Sequence, residues 1–346
     1  MINTKNIKIK NIYYMLSYAF QMLDNDGFKK VGTEDFDNIS DLFSAILIKG
    51  VSTLVKRGLE KEYKQISEEI STIKGKIDVS ETMKRESLQR KKACCSFDEL
   101  TVDSYVNQII KTTFFYLLKS DANIDYKRKL KKLLVYFEDV SLIPVNTINW
   151  KFQYNKNNIS YRMILSICYL VINGLLQTTD DGDIKLANFL DEQRMCRLYE
   201  KFILEFYKKE KPELSANASK INWKIDDNYD FMLPEMKSDI MLYKGDIILI
   251  IDAKYYEHST QKNYDIEKIR SGNIYQIFTY VKNKQLEDET KNVSGMLLYA
   301  KTEDFNTPNV DYKLSGNLIS AKALDLNQNF DEIKNQLLSI SDKYFS

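Results

Sequence analysis

"SDIMLYKGDIILIIDAKYY", residues 238–256, decides how the chain is read. Five branched apolar residues, Ile247, Ile248, Leu249, Ile250 and Ile251, run straight into Asp252, Ala253 and Lys254. A short apolar run of this kind reads as a buried strand. Charge at the end of a buried strand is costly unless it is paired, bound to metal or used chemically. Residues i and i+2 of a strand share a face, so Asp252 and Lys254 project together. Lys244-Gly245-Asp246 is a turn signal joining this strand to one at 239–243, and a tight hairpin there sets Asp239 beside Asp252.

Two carboxylates converging at a sheet end make an oxygen-rich site suited to Mg²⁺, which accepts one or two carboxylates and keeps waters elsewhere. The ammonium of Lys254 beside them can orient a nucleophile or offset developing negative charge. Metal-assisted phosphodiester hydrolysis fits this geometry. The spacing alone is unspecific: acid-x-Lys recurs at Glu62/Lys64, Asp125/Lys127, Asp183/Lys185, Glu235/Lys237, Glu289/Lys291, Asp311/Lys313 and Glu332/Lys334. Only Asp252/Lys254 follows an apolar strand with an acid-bearing hairpin partner. The plainer alternative is a structural ion pair capping a strand.

Composition narrows the chemistry. With 346 residues, 44% hydrophobic, the chain can fill two cores. Fifty Lys and Arg against 49 Asp and Glu give a net charge of +1, so any surface for nucleic acid must be local. The opening is too polar for a secretion signal and the most apolar helical stretch, 163–176, is shorter than a membrane span, so a cytoplasmic location is expected. Cys94, Cys95, Cys168 and Cys196 show no C-x-x-C spacing and read as reduced thiols. A single histidine, His258, reads as a loop residue and leaves little room for histidine-based catalysis or zinc ligation. No G-x-x-x-x-G-K-[ST] loop is present, so nucleotide hydrolysis is not expected of this chain.

Apolar periodicity predicts helices over 12–23, 41–56 (Ser40 as N-cap), from 103 or 104, and over 125–139, 161–176, 192–209, 266–282 and 330–344. Strands are expected at 76–79, 93–97, 221–225, 239–243, 247–255 and 294–300. The segment "QTTDDGDIKLAN" (177–188) marks a boundary between domains 1–180 and 181–346. The fold class is α/β (α+β): a mainly helical N-terminal domain with a small strand-rich insert, then a mixed sheet flanked by helices. Lys127, Arg128, Lys129, Lys131 and Lys132 form the wet side of an amphipathic helix. Lys84, Arg85, Arg90, Lys91 and Lys92 form a basic projection open to partner or DNA. Tyr13, Tyr14 and Tyr18 have the spacing of core packing.

"SDI...DAK" resembles the PD-(D/E)XK nuclease motif. "LPEMKSDI", "ILIIDAKYY" and "NIYQIFTYV" resemble the nuclease domain of McrC-type proteins, the cleavage subunits of McrBC methyl-directed restriction systems. "IKNIYYMLSYAF", "KGVSTLVKRGLEKEY", "IKGKIDVSETMKR", "SFDELTVDSYVNQIIKTT" and "LYEKFILEFYKKE" extend the likeness along most of the chain. The resemblance implies metal-binding roles for Asp239 and Asp252 and a catalytic role for Lys254. Ser238 departs from the motif's proline. Relatives often add a helix acid, for which Glu200 and Glu205 both qualify. They lie roughly 140° apart around a helix, so at most one faces the site. Gln276, one turn before Tyr280, matches a glutamine motif of such nucleases. Also implied are a hexameric AAA+ GTPase partner of the McrB type, docked by the first domain, and methylated DNA as substrate. Two rivals stay open: an NTPase-activating adaptor with a dead nuclease fold, and a free-standing repair nuclease.

Overall fold

The computed structural model describes residues 8–20, 36, 38–154, 161–175, 192–227, 229–255, 260–263, 266–301 and 307–346. Two compact units emerge: Ser40–Ala187, and Met1–Ile39 together with Asn188–Ser346. This partition differs from the expected 1–180 and 181–346, because helix α1 (Ile9–Ala19) belongs with the second half. The 177–188 segment and His258 lie outside the described residues.

In the Ser40–Ala187 unit, helix α2 (Ile39–Arg57) buries Leu42, Phe43, Ile46, Leu47, Val51 and Leu54 and stops at Gly58, whose φ of +91° suits glycine. Ser40 is inside this helix rather than its cap, and its hydroxyl donates to Asp121. Strand β1 (Glu62–Ile70) was not expected. It pairs along its whole length with β3 (Ala93–Thr101), and β2 (Lys76–Ile77) joins the other side of β3. Helix α3 (Val79–Lys84) lies between them, capped by Asp78, which accepts from the Glu81 amide at 3.0 Å. Of the expected basic projection, Lys84 and Arg85 pair with Glu81, and Arg90 with Glu69.

Helices α4 (Tyr105–Lys119), α5 (Ile124–Leu134) and α6 (Tyr161–Leu175) complete the unit. Ser104 caps α4 by accepting from the Asn107 amide. Along α5 only Leu130 is buried, so its lysines form the wet face. Cys94, Cys95 and Cys168 are buried and, like Cys196 in the other unit, form no disulfide.

The second unit is built on a six-stranded mixed sheet. Helix α7 (Glu192–Glu210) precedes β4 (Ser215–Asn217) and a small ladder of β5 (Lys220–Ile221) with β6 (Met236–Lys237). Then come β7 (Ile240–Lys244), β8 (Ile247–Lys254), and a β9 (Thr260–Asn263) and β10 (Ile266–Ile269) hairpin. Helix α8 (Ser271–Glu287), β11 (Asn292–Ala300), β12 (Val310–Leu314), β13 (Asn317–Leu324) and α9 (Phe330–Phe345) follow. The order is β12-β13-β11-β8-β7-β4, with β11 parallel to both β8 and β13 and the other pairings antiparallel.

Three differences from the expected elements have local causes. Residues 266–269 are a strand, so α8 begins at Ser271 instead of 266. The expected 221–225 strand is limited to Lys220–Ile221. Strands β12 and β13 were not foreseen; Ser315 and Gly316, with φ of 49° and 90°, close their hairpin.

Helix α1 joins this unit through aromatic packing. Tyr14 stacks on Phe330 at 4.1 Å between ring centroids, and Tyr18 meets Phe206 and Phe202 at 5.4 and 5.7 Å. The Asn11 amide donates to the carbonyls of Leu326 and Gln328 at 2.7 and 2.8 Å. On the α8 side of the sheet, Ile248, Ile250, Leu297 and Tyr299 pack against Ile277, Tyr280 and Val281.

Candidate active site

The β7–β8 register pairs Ile240 with Ile251, which brings Asp239, the residue just before β7, opposite Asp252. The bulk of β8 is buried by plain side-chain packing, so the strand's end is held at a fixed place on the sheet. Alternation then puts Asp252 and Lys254 on the same side as Ile248 and Ile250, the side α8 covers. Asp239 turns one carboxylate oxygen back onto the strand: the Ala253 amide donates to its Oδ2 at 2.9 Å.

Ser238, where the motif's name has proline, is 1% exposed. Its amide donates to the Ser219 carbonyl at 3.0 Å, and its hydroxyl accepts from the Ser219 amide. A proline would delete that amide donor. The serine therefore joins the small β5–β6 ladder to the segment that carries Asp239.

Lys254 holds two contacts at once. Its Nζ lies 2.8 Å from Asp252 Oδ2 and donates to Gln276 Oε1 at 3.1 Å. Gln276 in turn donates from Nε2 to the Tyr280 hydroxyl at 3.0 Å. An ammonium offers only donors, so the amide oxygen has to face the lysine and the amide nitrogen the tyrosine.

The electrostatics are those of crowded carboxylates. Burial, then the neighbouring charges of Asp252 and Glu200, hold the Asp239 carboxyl well above the usual range. Burial also raises Asp252, against the pull of Lys254. Glu200 on α7 is raised by burial, with Lys254 acting to lower it and Asp252 to raise it. Of the two helix acids, Glu200 thus shares the site's field, whereas Glu205 pairs with Lys208 at 2.9 Å.

Whether these residues suit a cation is decided by Asp252. Its Oδ2 is buried and meets the Lys254 ammonium at 2.8 Å, with the Asp239 carboxyl against the same group. A buried carboxylate oxygen with spare lone pairs, next to a second carboxylate, fits a hard cation. Among the described residues no group of three or more His, Cys, Asp or Glu is arranged to hold a metal. Two carboxylates completed by water, the Mg²⁺ pattern, are what the donor set offers, with Glu200 outside direct reach of a ready-made cluster.

Sequence reasoning therefore named the residues that meet here: Asp239, Asp252, Lys254, Gln276, Tyr280 and, through its field, Glu200. It missed Asn273 and Tyr299, which tie α8 to β11 beside Lys254. Only the β8–β11 register exposes that pairing, since the residues are 26 positions apart.

With the geometry in place, the comparisons with known proteins agree along most of the chain. The family model described as "McrBC 5-methylcytosine restriction system component" matches residues 2–300. The type IV methyl-directed restriction enzyme EcoKMcrBC of Escherichia coli strain K12 is 30% identical over 350 residues, 98% of this chain and 98% of that protein. Among solved structures, a refined half-complex from a tetradecameric assembly of Thermococcus gammatolerans McrB AAA+ hexamers with bound McrC is similar with a TM-score of 0.57. Its identity is 17%, over 97% of this chain and 76% of that one, a likeness of fold. No described helix is long and apolar enough to cross a membrane.

Proposed function

We propose, from the premise that this chain belongs to the McrBC 5-methylcytosine restriction system component family, that it is the DNA-cutting subunit of a modification-dependent restriction complex. In this reading it is a Mg²⁺-dependent endodeoxyribonuclease that works with a hexameric AAA+ GTPase partner and stimulates it. The observation that carries the proposal is the meeting of Asp239, Asp252 and Lys254 at the end of β8, with the Asp252 carboxylate buried among them.

Asp239 and Asp252 would hold the cation, which when bound supplies Lewis-acid polarisation of the phosphodiester and a more acidic attacking water. The chain's own residues do the rest. Lys254 presents its ammonium at the point where negative charge grows on the phosphoryl oxygens. Gln276 holds that ammonium from the far side, so its position does not depend on Asp252 alone. Ile248 and Ile250, buried beside the site on the same face of β8, keep water from that flank.

The partner is supported by the solved neighbour, an assembly of McrB AAA+ hexamers with bound McrC. We assign docking on the motor to the Ser40–Ala187 unit and cutting to the unit that carries the carboxylates. A net charge of +1 accords with a cutter that depends on the assembly for its hold on DNA.

The test is plasmid cleavage by the purified protein with Mg²⁺, on methylated and unmethylated DNA, with and without the cognate motor and GTP. Cutting of methylated DNA only in the presence of motor and GTP is expected. Vigorous cutting by the chain alone points instead to a free-standing nuclease, and GTPase stimulation with no cutting under any condition points to an adaptor.

A further inference from the structure

Taking the site as the cutting site proposed above, we infer that Asn273 and Tyr299 form a positioning pair that sets Gln276 against Lys254. Neither belongs to the carboxylate, lysine and glutamine set. Strand β11 runs parallel to β8 with Leu297 opposite Asp252 and Tyr299 opposite Lys254, so Tyr299 stands on the side that α8 covers. The Asn273 amide nitrogen donates to the Tyr299 hydroxyl at 3.0 Å, and both side chains are buried.

Three features make this bond more than local packing. First, α8 starts weakly: it opens Ser-Gly-Asn, and its N-cap residue Arg270 makes no side-chain cap hydrogen bond. The Asn273–Tyr299 bond fastens that first turn to the sheet. Second, Asn273 precedes Gln276 by three residues, so the two are neighbours on one helix face. Holding one fixes the azimuth of the other. Third, the other polar holds on α8 lie toward its C-terminal end, where the Lys224 amide donates to Asn283, Lys282 to the Ser315 carbonyl and the Val293 amide to Gln285; nearer its start, Ile277 and Val281 meet the sheet by apolar, non-directional contact. Apolar contacts resist withdrawal of these first turns but tolerate their rotation or local displacement. A local displacement of the first turns by the rise of one residue, about 1.5 Å, is enough to break the 3.1 Å bond from Lys254 to Gln276.

The pair therefore acts on the reacting centre through Gln276, and the test is a double-variant cycle of Tyr299→Phe and Gln276→Ala in the full chain. One readout is the rate at which an amine-reactive reagent labels Lys254, quantified by peptide mass spectrometry without DNA. Tyr299→Phe and Gln276→Ala are each expected to speed labelling several-fold, and the double variant to match Gln276→Ala alone. The second is cleavage with motor, GTP and Mg²⁺, where Tyr299→Phe is expected to lower kcat about five- to tenfold at unchanged KM.

Equal fold-changes from Tyr299→Phe in both backgrounds, or no change in labelling from Tyr299→Phe, would overturn the inference. Should Tyr299→Phe fail to fold by thermal melting, Asn273→Ala takes its place in the same cycle, with the same expected and overturning results. Asp252→Ala serves as the control for the reading beneath: if it cuts like the parent, the cutting-site assignment falls while the labelling result still tests the positioning pair.

Discussion

Gly295→Ala tests how closely helix α8 has to sit for the site to form. Gly295 lies on β11, paired with Ile250 on one side and Ile319 on the other, directly under α8. A Cβ there would stand 2.7 Å from Val281 Cγ2, 2.8 Å from Ile277 Cγ1 and 3.0 Å from Ile319 Cδ1. Ordinary carbon contacts are about 3.5–4.0 Å, so two helix side chains are too near by roughly 0.7–1 Å. Both are β-branched and hold one favoured rotamer in a helix, so they cannot swing aside cheaply. Overpacking of this kind costs about 1–3 kcal/mol, and each kcal/mol lowers Tm by about 2–4 °C in a unit of this size.

If α8 instead backs away by about 0.7 Å, the Lys254–Gln276 bond passes the hydrogen-bond limit of about 3.2 Å. Misplacement on that scale costs on the order of tenfold or more in rate. The assay is thermal unfolding of the metal-free protein together with plasmid cleavage by the reconstituted complex. Adding Val281→Ala, which removes the Cγ2 in the way, is expected to recover a large part of both losses, although Val281→Ala alone is destabilising. Unchanged Tm and unchanged cleavage in Gly295→Ala would refute the close seating of α8 as a requirement for activity.

Four further outcomes follow from the structure. In metal-free buffer, Asp239→Asn is expected to raise Tm at neutral pH. Burial and the neighbouring acids raise the folded-state pKa of Asp239, so its contribution to stability is present at low pH and lost as pH climbs past the ordinary carboxylate range; equal slopes of Tm against pH in parent and variant would contradict this. Mg²⁺ at about 100 times its dissociation constant is expected to stabilise the parent by about 2.7 kcal/mol and Asp239→Asn far less, read by calorimetry. In the other unit, burial acts upward on Asp103 but hydrogen bonds from Lys64, the Ser141 amide and Gln108 win and hold it down to about 2. Its stabilisation is whole above the unfolded value near 3.9 and is lost as pH falls to about 2, so Asp103→Asn is expected to flatten acid unfolding in that window. Removing residues 1–39 strips Tyr14 and Tyr18 from Phe330, Phe202 and Phe206. Cutting and thermal stability of the second unit are then both expected to collapse, and a stable, active truncation would show that α1 is dispensable.

The core of the site was legible because it is local. Asp239, the turn at 244–246 and the apolar run into Asp252 and Lys254 lie within 16 residues, and strand alternation alone places their side chains. Strand β1 was not legible: "EYKQISEEI" has no fully buried position, so there was no apolar face to read. The β12–β13 hairpin did leave a trace, a Ser-Gly pair between alternating segments, that turn chemistry can identify. The placement of α1 was beyond reach for another reason. Its tyrosines declared themselves as core, but the partners, Phe202, Phe206 and Phe330, sit some 180 to 320 positions away, and nothing in periodicity says which core a helix joins. Asn273 and Tyr299 were missed for the same reason, since each looks ordinary until β11 is laid beside β8.

In the proposed function cutting depends most on the Asp252 carboxylate, and Asp252→Ala tests this directly in two assays on one preparation: cleavage of methylated plasmid, and GTP hydrolysis by the motor. Loss of cleavage by a factor of at least about 10³, with GTPase stimulation at the parental level, is what a dedicated cutting site requires. Cleavage persisting within a fewfold of the parent would show that the phosphodiester is broken elsewhere.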